Sequence, residues 1–131
     1  MDLIDQLRAD YARFPQAQSY HLYAQDVYFR DPITTFRGID RYRKMIEFMT
    51  YWFKDPKLEL HSIYQNGQSI RTDWTLSWVT PLPWKPRIYI CGWSDLTVNR
   101  AGLIDSHIDA WHGSKWSVVT QHFPYFRPSN Q

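Results

Sequence analysis

The chain has 131 residues, enough to bury a core without staples, and its single cysteine, Cys91, excludes an intramolecular disulfide. Fifteen basic against thirteen acidic residues leave a net charge of +2, too small and too evenly spread for a nucleic-acid backbone binder. No apolar run reaches membrane-spanning length and residues 1–20 lack the pattern of a signal peptide, so a soluble, cytoplasmic protein with no membrane partner is expected.

In chain order, Leu3, Ile4, Leu7, Tyr11 and Phe14 recur at helical spacing. Pro15 ends that helix and opens a second, in which Ala17, Tyr20 and Ala24 keep the spacing. A short strand, Val27–Arg30, leads to the Asp31-Pro32 corner, where proline pushes Asp31 out of the helical region and leaves its carboxylate at a strand end. The simplest role for Asp31 is to close that turn. Beyond Gly38, the residues Ile39, Tyr42, Ile46, Met49 and Phe53 mark a third, strongly amphipathic helix. From Pro56 onward the period changes to two, predicting strands over Leu58–Gln65, Ser69–Thr80, Arg87–Asn99 and Leu103–His112. Asn66-Gly67 is a tight hairpin signal, and 124–131 reads as a loosely held arm. Helices followed by an antiparallel meander make residues 1–131 one α+β domain.

Aromatic residues supply 18% of the chain, and the strand faces decide what they do. One face carries Ile70, Trp74, Leu76, Trp78, Ile88, Ile90, Leu96, Ile104 and Ile108. The other carries Asp73, Tyr89, Cys91, Trp93, Asp95, Asp105, His107, Asp109 and Trp111. Solvent is a poor home for Tyr89, Trp93 and Trp111 together, so the second face is expected to line a wet, aromatic cavity. His107-x-Asp109 offers two metal ligands without a third, and no nucleotide fingerprint occurs; neither metal nor cofactor is expected.

The stretch Leu22-Tyr-Ala-x-Asp26, with Phe29, Asp31 and Pro32, followed by Gly38 and an amphipathic helix, resembles the nuclear-transport-factor-2-like superfamily. Within it, the chain is similar to ketosteroid isomerases and SnoaL-like polyketide cyclases. The run Phe29-Arg-Asp-Pro, Phe36-Arg-Gly38 and Gly102-Leu-Ile-Asp-Ser-His107-Ile-Asp-Ala-Trp111 more closely resembles an uncharacterised branch from cyanobacteria and plants. The resemblance implies a cone-shaped, cystatin-like fold with N-terminal helices packed on a curved antiparallel sheet. It also implies that Asp31 is a general base, that Asp95 is a carboxylic acid kept protonated by an apolar lining, and that His107 with Asp109 is an auxiliary acid/base pair. Tyr11, Phe29, Asp73, Tyr89, Trp93 and Trp111 become the candidate ligand contacts. Two positions depart from the pattern. The isomerases' catalytic tyrosine has only Tyr11 nearby, one turn out of register, and the cyclases' catalytic aspartate falls near His112.

The function expected is binding of a small hydrophobic molecule in an internal pocket, with isomerase- or cyclase-like acid/base chemistry as its catalytic form. The alternative is a non-catalytic scaffold whose pocket is filled. If the aromatic–carboxylate face lines the cavity, the face of Ile70, Trp74, Leu76, Trp78, Ile88 and Ile90 is left uncovered, and a homodimer paired through it is expected.

Overall fold

The computed structural model describes residues 2–123. Helix α1 (Leu3–Arg13) is followed by a 3-10 turn (Tyr20–Leu22), strands β1 (Tyr23–Arg30) and β2 (Thr35–Arg37), and helix α2 (Ile39–Trp52). Strands β3 (Lys54–Asn66), β4 (Ser69–Val79), β5 (Arg87–Val98) and β6 (Ile104–Trp111) lead to a short helix, α3 (Lys115–Thr120). The six strands form one curved, unclosed sheet in the order β2-β1-β6-β5-β4-β3. β3 to β6 make the antiparallel meander that the period-two pattern predicts, whereas β1 pairs antiparallel with β2 and parallel with β6. The architecture is the α+β cone expected from the sequence. The arm expected at 124–131 lies outside the described residues.

Local chemistry explains the element that differs. The second helix expected from Ala17 to Ala24 does not form; Ala24 belongs to β1. Asp10, on the last turn of α1, accepts hydrogen bonds from the Ser19 backbone N–H at 3.1 Å and hydroxyl at 2.8 Å, and from Arg13 Nη2 at 2.5 Å. Gln18 Nε2 donates to the Asp10 carbonyl at 2.9 Å. These bonds hold residues 16–19 in an irregular path that competes with a helix, and Tyr23, Val27 and Phe29 then pair as strand.

The helices cover the apolar sheet face. Leu7 of α1 packs with Ile63, Ile70, Leu96, Val98 and Ile104, and Ile39, Tyr42 and Ile46 of α2 pack on Val27 and Phe29. Phe53, just past α2, stacks on Trp78 with ring centroids 4.1 Å apart. Ile70, Trp74, Leu76, Trp78, Ile88 and Ile90 are therefore all buried within the chain, at most 9% exposed. This corrects the expected dimer surface: an apolar sheet face is what amphipathic helices pack on, and here the chain's own helices occupy it. That face is not free to pair with a second copy.

The expected division of β6 is also corrected. Val98 pairs with Ile104 and Thr97 with Ser106, so Asp105 is an extra residue, a β-bulge. A one-residue bulge reverses the alternation beyond it. His107, Asp109 and Trp111 consequently turn inward, opposite Leu96, Ser94 and Gly92, while Tyr89, Cys91, Trp93 and Asp95 of the neighbouring strand face outward.

Gly92 fixes a further close approach. A Cβ there would stand 2.4 Å from the Ala110 carbonyl oxygen and 2.8 Å from the Trp74 ring. The missing side chain leaves room for the Trp74 ring against β5.

Candidate functional site

Between α1, α2 and the inner sheet face is a cavity of about 80 Å³. Most of its wall is apolar, including Leu7, Phe14, Phe29, Ile46, Met49 and Leu76, with polar groups converging from the sheet. Those groups form one directional chain. Trp74 Nε1 donates to Ser94 Oγ at 2.9 Å, and Ser94 Oγ donates to Asp109 Oδ1 at 2.5 Å. His107 Nε2 lies 2.8 Å from the same Oδ1. A carboxylate only accepts, so Nε2 carries the proton and the other ring nitrogen, Nδ1, is an acceptor in the neutral ring. The Tyr23 hydroxyl, 3.5 Å from Nδ1, supplies the donor, and the Tyr42 hydroxyl stands 3.5 Å from that of Tyr23. The imidazole is boxed by the rings of Phe29, Tyr42 and Tyr23, with centroids at 5.1, 5.6 and 6.1 Å.

Backbone register builds this arrangement. Ser94 and Asp109 are directly opposed across β5 and β6, and His107 follows Asp109's face one strand period earlier. From α1, the Tyr11 hydroxyl reaches Thr72 Oγ1 at 2.8 Å. Burial pushes the Tyr11 hydroxyl up to about 12, against the lowering effect of Thr72. Burial also raises Tyr23 and Tyr42 above the ordinary tyrosine value. All three hydroxyls are thus neutral donors at physiological pH.

Of the residues singled out in the sequence, His107, Asp109, Tyr11 and Phe29 line the cavity together. Asp31 stands at the corner after β1. Its Oδ1 accepts the backbone N–H groups of Ile33 at 2.9 Å and Thr34 at 2.8 Å, closing the turn. Desolvation raises its carboxyl above the ordinary value, those two N–H donors oppose the rise, and the charge of Asp109 adds to it. Trp111 lies on the inner face, packed against the cluster around Trp74 and Trp78.

Asp95, Asp73, Tyr89 and Trp93 are on the other side of the sheet, and Asp31 stands at its turn outside the cavity wall, so of the four residues expected to converge on one cavity, Asp31, Asp95, His107 and Asp109, only His107 and Asp109 line it. Asp95 and Tyr89 are exposed. Asp73 accepts from Ser62 Oγ at 2.7 Å and pairs with Arg71 at 3.6 Å, and the Arg71 guanidinium lies over Trp93, 5.1 Å from its centroid. The aromatics of this face are covered by a guanidinium or left in solvent. Cys91 is exposed there too.

Sequence reasoning did not place Ser94, Tyr23, Tyr42, Trp74 or Asp10 at the site. A signal for Ser94 was present: it interrupts the apolar alternation Ile88, Ile90, Leu96, Val98, and a polar residue on a buried face needs a partner. Among the described residues, no three His, Cys, Asp or Glu side chains group closely enough to hold a metal ion. No helix among them is long and apolar enough to cross a membrane.

Solved structures with similar folds cover most of the chain. A hypothetical protein with a ketosteroid isomerase-like fold from Catenulispora acidiphila, in complex with trimethylamine, aligns with TM-score 0.72 at 15% identity over 92% of this chain and 91% of that one. A nuclear-transport-factor-2-like protein of unknown function from Exiguobacterium aligns with TM-score 0.64 at 15% identity over 84% of this chain and 94% of that one. An epoxide hydrolase of the LEH-like type from M. tuberculosis aligns with TM-score 0.64 at 14% identity over 90% and 84%. At these identities the likeness is one of fold. No curated protein matches the sequence. The DUF2358 family of uncharacterized conserved proteins matches residues 1–107, ending at His107 and two residues short of Asp109. The chain thus belongs to the DUF2358 family and has the nuclear-transport-factor-2-like, SnoaL-like fold.

Proposed function

We propose that the protein binds a compact small molecule in the cavity beneath α1 and α2, with Asp109 as the proton acceptor facing it. The observation that carries this reading is the 2.8 Å bond from His107 Nε2 to Asp109 Oδ1, shared with Ser94 at 2.5 Å. Two donors on one oxygen fix the carboxylate plane and aim the group. A carboxylate held in this way, in a wall otherwise apolar and aromatic, is what proton abstraction from a bound molecule requires. His107 and Ser94 act as positioning residues. The Tyr11 hydroxyl, kept neutral by burial, can donate to developing negative charge while accepting from Thr72 Oγ1.

Size narrows the ligand. An apolar cavity of about 150 Å³ holds benzene, so the 80 Å³ here suits a molecule of roughly three to five heavy atoms. Pockets for drug-sized ligands run to about 300 Å³ and more, which speaks against a steroid. The C. acidiphila neighbour is in complex with a molecule of this compact class, and the M. tuberculosis neighbour is an enzyme; both support the reading by analogy only.

A scaffold is the second reading, and one observation favours it: among the described residues no buried side-chain polar atom lacks a hydrogen-bond partner. Protein-observed NMR with a fragment set of compact amines, alcohols, ketones and epoxides separates the two. Fragments that shift the Trp74 indole N–H, and that lose at least tenfold in affinity in Asp109→Asn, support the binding site. A wild-type protein that binds none of them is a scaffold.

A further inference from the structure

Charge, rather than shape alone, distinguishes the occupant of this cavity. The rings of Tyr11, Phe14, Tyr23, Phe29, Tyr42 and Trp74 all contribute to the wall. Aromatic faces carry partial negative charge and attract a desolvated cation. Among the described residues lining the cavity there is no Lys or Arg, whereas two carboxylates are present. Asp10 is already neutralised by Arg13, whose Nη2 lies 2.5 Å from its Oδ1. Asp109 has no such cation.

Both hydrogen bonds to Asp109 arrive at Oδ1. Its Oδ2 receives none among the described residues, yet it is not a sealed, unsatisfied atom; Asp109 is part of the cavity wall, and Oδ2 remains an open acceptor. The side chain is 19% exposed, so its charge is largely removed from bulk water. A charge in that setting calls for an opposite one. Protonated His107 is the internal competitor; Nε2 donates to Asp109 in either state of the ring, and in the neutral ring, with Nδ1 accepting from the Tyr23 hydroxyl, Asp109 is left without a cation.

We propose that the cavity takes a compact organic cation, a small protonated alkylamine, with its N–H on Asp109 Oδ2 and its alkyl groups on the aromatic faces. This rests on the reading of the cavity as a ligand site, and it names the ligand class. The cavity's 80 Å³ is of the order needed for a nitrogen bearing a few methyl groups.

The test compares trimethylammonium chloride with tert-butanol, its neutral near-isostere, each titrated into the full chain at neutral pH and constant ionic strength and followed at the assigned Trp74 indole N–H. Trimethylammonium is expected to bind at least tenfold more tightly than tert-butanol. In Asp109→Asn the two affinities should converge to within about threefold, through loss of the cation's affinity. Equal or tighter binding of tert-butanol to the wild-type protein overturns the cation assignment and leaves the small-ligand reading standing. A Trp74 resonance unmoved by either compound overturns both. An Asp109→Asn protein that keeps the full preference overturns the role of Asp109, and the wild-type ratio decides the ligand class even if that variant does not fold.

Discussion

His107 and Asp109 stand two residues apart on β6, and the imidazole Nε2 meets Asp109 Oδ1 at 2.8 Å. Neighbours on one strand face are separated by one pleat period, so a long side chain and a short one along the same strand bridge without help from another element. The ring is 6% exposed and wedged among three aromatic rings.

Replacing His107 with Ala removes a buried hydrogen-bond donor and leaves a hole beside Phe29. The expected cost is roughly 2–4 kcal/mol, combining an unpaired buried acceptor with a cavity term. Urea denaturation measures it directly. A loss below about 0.5 kcal/mol, within the range of an ordinary surface substitution, would show that the imidazole does not hold this position.

Gly92→Ala places a methyl group against the Ala110 carbonyl and the Trp74 ring, at 2.4 and 2.8 Å. One contact is to backbone in a paired strand, so relief requires the ladder to move. The variant should lose about 1–3 kcal/mol, the usual range for overpacking. Its Trp74 indole N–H resonance should also shift as the bond to Ser94 is disturbed. Unchanged stability together with an unchanged resonance contradicts this packing.

At Asp31, substitution separates turn closure from acid/base chemistry. Asn keeps an Oδ1 acceptor for the Ile33 and Thr34 N–H groups; Ala does not. Burial raises the Asp31 carboxyl above its unfolded value. The folded state therefore favours the protonated form, and stability linked to this group is lost as pH rises through the folded value. At pH 7 the charge is a cost, so Asp31→Asn should be neutral to slightly stabilising, while Asp31→Ala loses about 1 kcal/mol of hydrogen bonding. Thermal melts of both variants at pH 7 check the order. An Asp31→Asn protein less stable than Asp31→Ala refutes the turn-closing role.

The alkaline limb of the stability curve should be governed by the buried tyrosines. Tyr11 is raised from 10.0 to about 12, with Tyr23 and Tyr42 also raised, all chiefly by desolvation. For a raised acid the folded protein holds its proton longer than the unfolded chain does. Stability is therefore unaffected below about pH 10 and falls as pH climbs from there toward and beyond 12. Tyr11→Phe should make that fall shallower. Spectrophotometric titration in which every tyrosine ionises near pH 10 in the folded protein rules this out.

Periodic elements could be read directly from the residues. Ile39, Tyr42, Ile46 and Met49 announced α2, and the alternations after Pro56 announced four strands, because each pattern runs unbroken over several turns or pleats. The side of the sheet that faces the helices was harder to infer. Aromatic and acidic residues on the outer face looked like a cavity lining, although guanidinium stacking of Arg71 on Trp93 and the Asp73–Arg71 pair account for several of them. Trp74 illustrates the consequence. Placed on an expected dimer surface it would tolerate Glu, whereas at 6% exposure with its Nε1 on Ser94, Trp74→Glu should unfold the chain. The inward turn of His107 and Asp109 depends on one unpaired residue, and nothing in a period-two pattern reveals where such a residue sits.

That residue, Asp105, works as a frame setter for everything after it on the strand. With its bulge, the cavity wall receives an imidazole and a carboxylate, and Trp111 turns to the inner face. Were Asp105 instead paired in a regular ladder, unbroken alternation from Ile104 would turn Ser106, Ile108 and Ala110 inward, and His107 and Asp109 would face solvent. Deleting Asp105, by contrast, would leave His107 and Asp109 facing inward, because Ser106 already pairs with Thr97 and His107 with Leu96, so how an extra residue is accommodated, as much as residue identity, decides which side chains line the cone.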